Sequence, residues 1–115
     1  DAESMTIETI QHEGREYPRW QSEGFAAQFA WPFAQRLCRG RGLDIGCNRV
    51  EWAFPGAVMI DPNIDASTDA YALPNELFDY IFSSHCLEHL PDWVGALDHW
   101  HTRLRVGGVI FLMVY

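Results

Sequence analysis

With 115 residues, 48% of them hydrophobic and 14% aromatic, the chain has the composition of one small packed domain and not of a disordered tail. Its formal charge of −8 argues against a nucleic-acid backbone or an anionic membrane as main partner. All eight basic residues are arginine, and without lysine there is no P-loop and no pyridoxal Schiff base.

Residues 1–21 are polar, carry Tyr17 and Trp20, and show no clear period; they are expected to form an arm or a lid, with 22–115 as one domain. Ser22 can cap a helix reaching about Cys38. Its Phe25, Phe29, Phe33 and Leu37 recur every four residues as one apolar stripe. Pro32 interrupts that stripe and predicts a kink, or two short helices meeting there. Strands follow at about 41–46 and 57–60. Only 47–56 lies between them, so their crossover has room for little more than one helical turn. Residues 62–77 are rich in Pro, Asn, Asp and Ser and read as loop, with one short strand expected near Thr68.

Residues 78–84 are the next strand. Pro91-Asp92 opens a helix over 92–104, which closes before Gly107-Gly108. The apolar run 109–115 is a strand buried on both faces and is far too short to span a bilayer. Strands alternating with helices predict an α/β fold, a Rossmann-like parallel sheet with flanking helices. The chain opens on Asp1 and stops inside its most apolar stretch, so the sheet is expected to be incomplete at the C-terminus. Such an edge should be covered by further chain or by a second copy, a homodimer through 109–115.

The chemistry gathers at strand ends. Gly42-Leu43-Asp44-Ile45-Gly46-Cys47-Asn48 is a short apolar strand running into a turn that holds an acid and a glycine. Val58-Met59-Ile60-Asp61 is a second strand that ends on a lone carboxylate. An open α/β sheet presents a nucleoside cofactor in this way, with N–H groups from the first turn and a diol acceptor at the next strand's tip. The glycines do not follow Gly-x-Gly-x-x-Gly, which lowers a nicotinamide or flavin reading.

Taken in order, these segments resemble class I S-adenosylmethionine-dependent methyltransferases of the broad small-molecule kind. Leu43-Asp44-Ile45-Gly46-Cys47 looks like the first motif, Ile60-Asp61 the acidic second, and Asp69-Ala70 with Leu73-Pro74 the adenine-side third. The fourth strand and its exit resemble 78–85 with Leu87-Glu88-His89, and Leu104-Arg105-Val106-Gly107-Gly108 the turn before strand five. The resemblance covers roughly residues 40–115. It implies S-adenosylmethionine as cofactor. Gly46 would let the backbone approach it, and Asp44 would receive its ammonium or organise the loop. Asp61, followed by Pro62, would accept from both ribose hydroxyls. Asp69, beside Ala70, would accept from the adenine amino group, with Ser83 and Ser84 beneath the methionine portion. Cys47 and Asn48 would complete the first turn.

Asn48 and Val50 stand where the family usually has glycine. Asparagine tolerates positive φ and keeps the turn possible; valine does not allow the same close approach. The leading function is methyl transfer to an unidentified small-molecule acceptor. The alternative is a module that has lost catalysis and serves binding or assembly, which Asn48 and Val50 favour and Asp44, Asp61 and Asp69 oppose.

His85, at a strand's C-terminal end, faces the expected cleft as a substrate or base residue. His85-Cys86-Leu87-Glu88-His89 also fits the H-x-x-E-H zinc-protease spacing. It follows a parallel strand and has no evident third ligand, so no metal is expected. His99 and His101 lie in an amphipathic helix and are read as surface residues. Three widely spaced cysteines are no disulfide framework, and a polar, acidic N-terminus is no signal peptide, so a reducing, cytoplasmic setting is expected.

Overall fold

In the computed structural model the described residues are 9–18 and 26–114. The lid expected of Trp20 and the Tyr17 side chain, the Ser22 cap and Phe25 lie outside them. Part of the expected arm is a hairpin: β1 (Thr9–His12) pairs antiparallel with β2 (Arg15–Pro18). Glu13 and Gly14 take φ of 50° and 78°, as a two-residue turn between twisted strands requires.

The second sheet carries the site. Its strands are β3 (Gly42–Ile45), β4 (Val58–Ile60), β5 (Phe78–Ser84) and β6 (Leu104–Met113). They run parallel in the order β4-β3-β5-β6. The chain leaves β3 to one side for β4 and returns on the other for β5. The C-terminal ends of β3 and β5 therefore flank a switch point, where open α/β sheets bind ligands. The short crossover from β3 to β4 holds one 3₁₀ turn, Val50–Trp52, as its length predicts.

Helix α1 (Trp31–Leu37) follows a 3₁₀ turn at Ala26–Phe29, and Pro32 lies in its first turn. Two short helices thus meet near Pro32, but the expected apolar stripe is not the buried face. Phe33 and Leu37 are 66% and 57% exposed, whereas Ala30, Ala34 and Cys38 are buried against Phe54, Tyr80 and Phe82. The sheet supplies the bulk on this side, so the helix contributes small residues and approaches closely.

On the opposite face α2 (Trp93–His101) packs Ala96 and Trp100 against Leu43, Ile45, Ile60 and Ile81. Asp92 caps it, accepting the Gly95 N–H at 3.0 Å. The helix ends three residues earlier than expected, because Leu104 already pairs with Phe78. Between that pair and Tyr80–Val109 the strand bulges, with Gly107 at φ 82°. The stretch 109–113 is half-buried, not buried on both faces, since β6 borders the sheet and pairs with β5 alone among the described strands. Residues 61–77 form turns, and no strand is found near Thr68: backbone bonds such as Thr68 N–H to Asp65 O close locally instead of onto β4.

Candidate functional site

The tips of β3 and β4 are tied together by hydrogen bonds. The Gly46 N–H donates to Ile60 O at 2.8 Å, and Gly46 takes φ 83°. A Cβ there would lie 2.5 Å from Cys86 Cβ, so the glycine is required by packing as well as by the turn. Asn48, at φ 69°, donates its N–H to Asp61 Oδ2 at 2.7 Å. The Asn63 N–H donates to Asp61 Oδ1 at 2.8 Å, and Asn63 Nδ2 donates to Asn48 Oδ1 at 2.8 Å. The three residues close a ring across both strand ends.

Beside this ring lies a cavity of about 330 Å³, lined by Ile45, Gly46, Ile60, Asp61, Asp69, Ala70 and Tyr71 together with Pro62, Cys86 and Leu90. That size is within the range that holds a small ligand. Helix α2 holds the far wall. Trp100 Nε1 donates to Ala70 O at 2.7 Å, the Asp92 N–H donates to the Tyr71 hydroxyl at 3.2 Å, and the Leu73 N–H donates to His99 Nε2 at 2.9 Å. His99 is therefore half-buried and bonded, not a surface residue as the helical pattern suggested; His101 is exposed.

Of the expected cofactor residues, Gly46, Asp61, Pro62, Asp69 and Ala70 meet at this cavity. Asp69 also accepts the Tyr71 N–H at 2.7 Å. Asn48 stands beside them on the exposed turn, through its bond to Asp61. Asp44, Cys47, Ser83 and Ser84 do not line it. Asp44 is buried and accepts the Phe54 N–H at 2.7 Å, so it organises the loop after β3. Ser83 is buried, and its Oγ donates to Ile45 O at 2.8 Å across the sheet. Ser84 Oγ lies 4.0 Å from Met113 Sδ. Tyr71, Cys86 and Leu90 were missed, although each directly adjoins a motif or a turn that the sequence does mark.

Burial pushes the Asp44 carboxyl up to about 7, against the Phe54 N–H and with help from the Asp61 charge. Burial, and then the Asp44 and Asp61 charges, push the Cys47 thiol up to about 12. Burial first and Asp61 next push Cys86 up to about 11. Both remain protonated thiols at neutral pH and are poor nucleophiles.

His85 sits at the end of β5 with φ 54°, one of the few non-glycine residues at positive φ among the described residues; Asn48, in the turn after β3, is another. Positive φ at two adjacent strand tips marks a backbone held by its surroundings, as functional sites often are. His85 Nδ1 lies 3.6 Å from Glu88 Oε2. Leu87–His89 is a single 3₁₀ turn, so His85 and His89 do not share one face of an α-helix as the zinc-protease pattern needs.

A parallel sheet with a nucleoside-sized cavity at its switch point is the architecture of a class I methyltransferase. Residues 11–115 match the methyltransferase-domain family, and the chain belongs to it. It is 35% identical over 80 residues to a ubiquinone biosynthesis O-methyltransferase of Paramagnetospirillum magneticum; the match covers 68% of this chain and 32% of that protein. The chain thus spans about a third of the length of that curated relative. A solved sugar N-methyltransferase from Streptoalloteichus has the same fold, with a TM-score of 0.60 at 18% identity, over 96% of this chain and 60% of that one. Among the described residues no helix is long and apolar enough to cross a membrane.

Proposed function

We propose that this chain binds S-adenosylmethionine in the cavity between β3, β4 and the Asp69–Leu73 segment and moves its methyl group to a small-molecule acceptor. The carrying observation is the position of Asp61: it ends β4, adjoins the Gly46 turn, and faces a cavity whose other carboxylate is Asp69. The site fits the nucleoside half of that cofactor. Each Asp61 oxygen accepts one backbone N–H and keeps a second lone pair for a ribose hydroxyl. Asp69 offers an acceptor to the adenine amino group, and Ile60, Ala70, Tyr71 and Leu90 shield the base from water.

The cofactor, when bound, supplies an electrophilic methyl on a sulfonium. The chain's residues bind and orient it. Asp44 holds the loop after β3 through Phe54. His85, at the end of β5 and 3.6 Å from Glu88, does not line the cavity itself; from that position it takes the proton of an acceptor hydroxyl or amine that docks against the β5 tip. A reducing, cytoplasmic setting fits Cys38, Cys47 and Cys86, which are all free thiols. A second reading, a module that binds without turnover, draws on Asp44 and Ser83 being already bonded within the chain.

Calorimetry with S-adenosylhomocysteine tests the first step. Binding that is abolished by blocking the cavity supports it, and no binding at millimolar ligand removes it. Release of S-adenosylhomocysteine from cofactor plus hydroxylated or amino-bearing small molecules then separates turnover from binding alone.

A further inference from the structure

Three hydrogen bonds hold the cavity's far wall to α2 and its cap, and one of them differs from the others. The Trp100 indole N–H meets a carbonyl oxygen, Ala70 O, and the Asp92 N–H meets the Tyr71 hydroxyl. The Leu73 N–H meets an imidazole nitrogen, His99 Nε2. An imidazole nitrogen accepts only while it carries no proton; once protonated, N–H faces N–H. Leu73 is buried, so its N–H is poorly placed to turn to water instead. Leu73 closes the short segment that begins at Asp69 and includes Ala70 and Tyr71, three of the cavity's lining residues.

We propose that His99 is a positioning residue for this site: neutral, it holds the Asp69–Leu73 wall in place, and protonated it releases that wall and weakens cofactor binding. The proposal rests on the reading of the cavity as the S-adenosylmethionine site.

The charged groups around His99 are otherwise engaged or exposed. On its own helix Asp98 and His101 are exposed, and Asp92 caps the N-terminus. Arg103, just past the helix, donates Nε to Pro74 O at 2.9 Å, next to Leu73. On the facing segment Asp69 accepts the Tyr71 N–H, and Glu76 pairs with Arg41 at 2.6 Å. On the 3₁₀ turn beside α2, Glu88 lies near His85 and His89 is exposed.

The test is calorimetry with S-adenosylhomocysteine on the full chain and on His99→Gln, at about pH 7.5 and about pH 5.5. Glutamine reaches the same place with an amide oxygen that accepts at both pH values. The parent should bind on the order of fivefold more weakly at the lower pH, the loss expected for one hydrogen bond. In His99→Gln that component should vanish. Every other group, the buried Asp44 included, is the same in both proteins, so equal pH dependence in the two overturns the proposal. The free parent gives a second readout. Its Leu73 amide resonance should titrate together with the His99 ring, and an amide that ignores that titration overturns the strut whatever binds. Absence of S-adenosylhomocysteine binding at both pH values would instead bring down the cofactor reading, while the Leu73 amide still decides the role of His99.

Discussion

Asn48 donates its backbone N–H to Asp61 Oδ2 over 2.7 Å, linking the turn after β3 to the end of β4. Asn48, which the sequence resemblance sets at a glycine position, holds φ 69° and uses both its backbone and its side chain. The glycine-poor loop is thus a bonded one. The Asp61 carboxylate organises the walls of the cavity and also faces its interior.

Replacing Asp61 with alanine should weaken S-adenosylhomocysteine binding by about 1–3 kcal/mol, the range for hydrogen bonds to a charged acceptor. It should also lower the unfolding midpoint, because the Asn48 and Asn63 N–H groups lose their acceptor. Calorimetry and denaturant unfolding measure the two effects. Unchanged affinity alongside reduced stability would leave Asp61 with a structural role only.

Asn63→Ala removes one side chain of the ring and leaves Asp61 intact. Its bond to Asn48 Oδ1 is exposed, so stability should fall by less than about 1 kcal/mol. If the ring positions the Asn48 turn for the cofactor, affinity should drop on the order of fivefold. An affinity equal to the parent's would show that the Asp61 bonds suffice.

Much of this arrangement was legible in the sequence, for a physical reason. β5 falls on 78–84 as read, since apolar residues flanked by polar turns admit little else. Gly46 and Asp61 follow from the ends of short apolar strands. The buried face of α1 was not legible: Phe29–Phe33–Leu37 and Ala30–Ala34–Cys38 have the same helical period. Only the bulk of Tyr80 and Phe82 on the facing sheet, with Phe54 from the loop before β4, decides which set turns inward. Partners distant in sequence were equally hidden. That Asp44 organises the loop rests on the Phe54 N–H opposite it, and His99 looked like a surface residue until Leu73 appeared opposite it.

The buried Asp44 should make stability depend on pH. Its carboxyl has an ordinary value of 3.8 and is pushed up to about 7 in the folded chain, chiefly by burial. Between those values the unfolded chain has released a proton that the folded chain keeps. Its contribution to stability is therefore fully present below about pH 4, falls as the pH rises to about 7, and is then constant. The loss is at most roughly 4 kcal/mol. Asp44→Asn keeps an acceptor for the Phe54 N–H and carries no charge. It should be more stable than the parent at about pH 8 and no more stable at about pH 4, as urea unfolding at both values would reveal. A constant difference at the two pH values would mean that Asp44 is not the group responsible.

Gly46→Ala should fail for two separable reasons. The residue sits at φ 83°, where a side chain costs about 1 kcal/mol, and its Cβ would stand 2.5 Å from Cys86 Cβ and 2.6 Å from Cys86 Sγ. Overpacking of that kind adds about 1–3 kcal/mol. Shortening Cys86 to alanine leaves the clashing Cβ in place, so it should rescue little. Cys86→Gly removes both atoms, and the double variant Gly46→Ala/Cys86→Gly should recover the overpacking part while retaining the backbone part. The four proteins form a double-mutant cycle whose coupling energy reports the contact itself. A coupling near zero would mean that the turn after β3 moves aside to accept a side chain. The tight approach of Gly46 to Cys86 would then not be what shapes this end of the cavity.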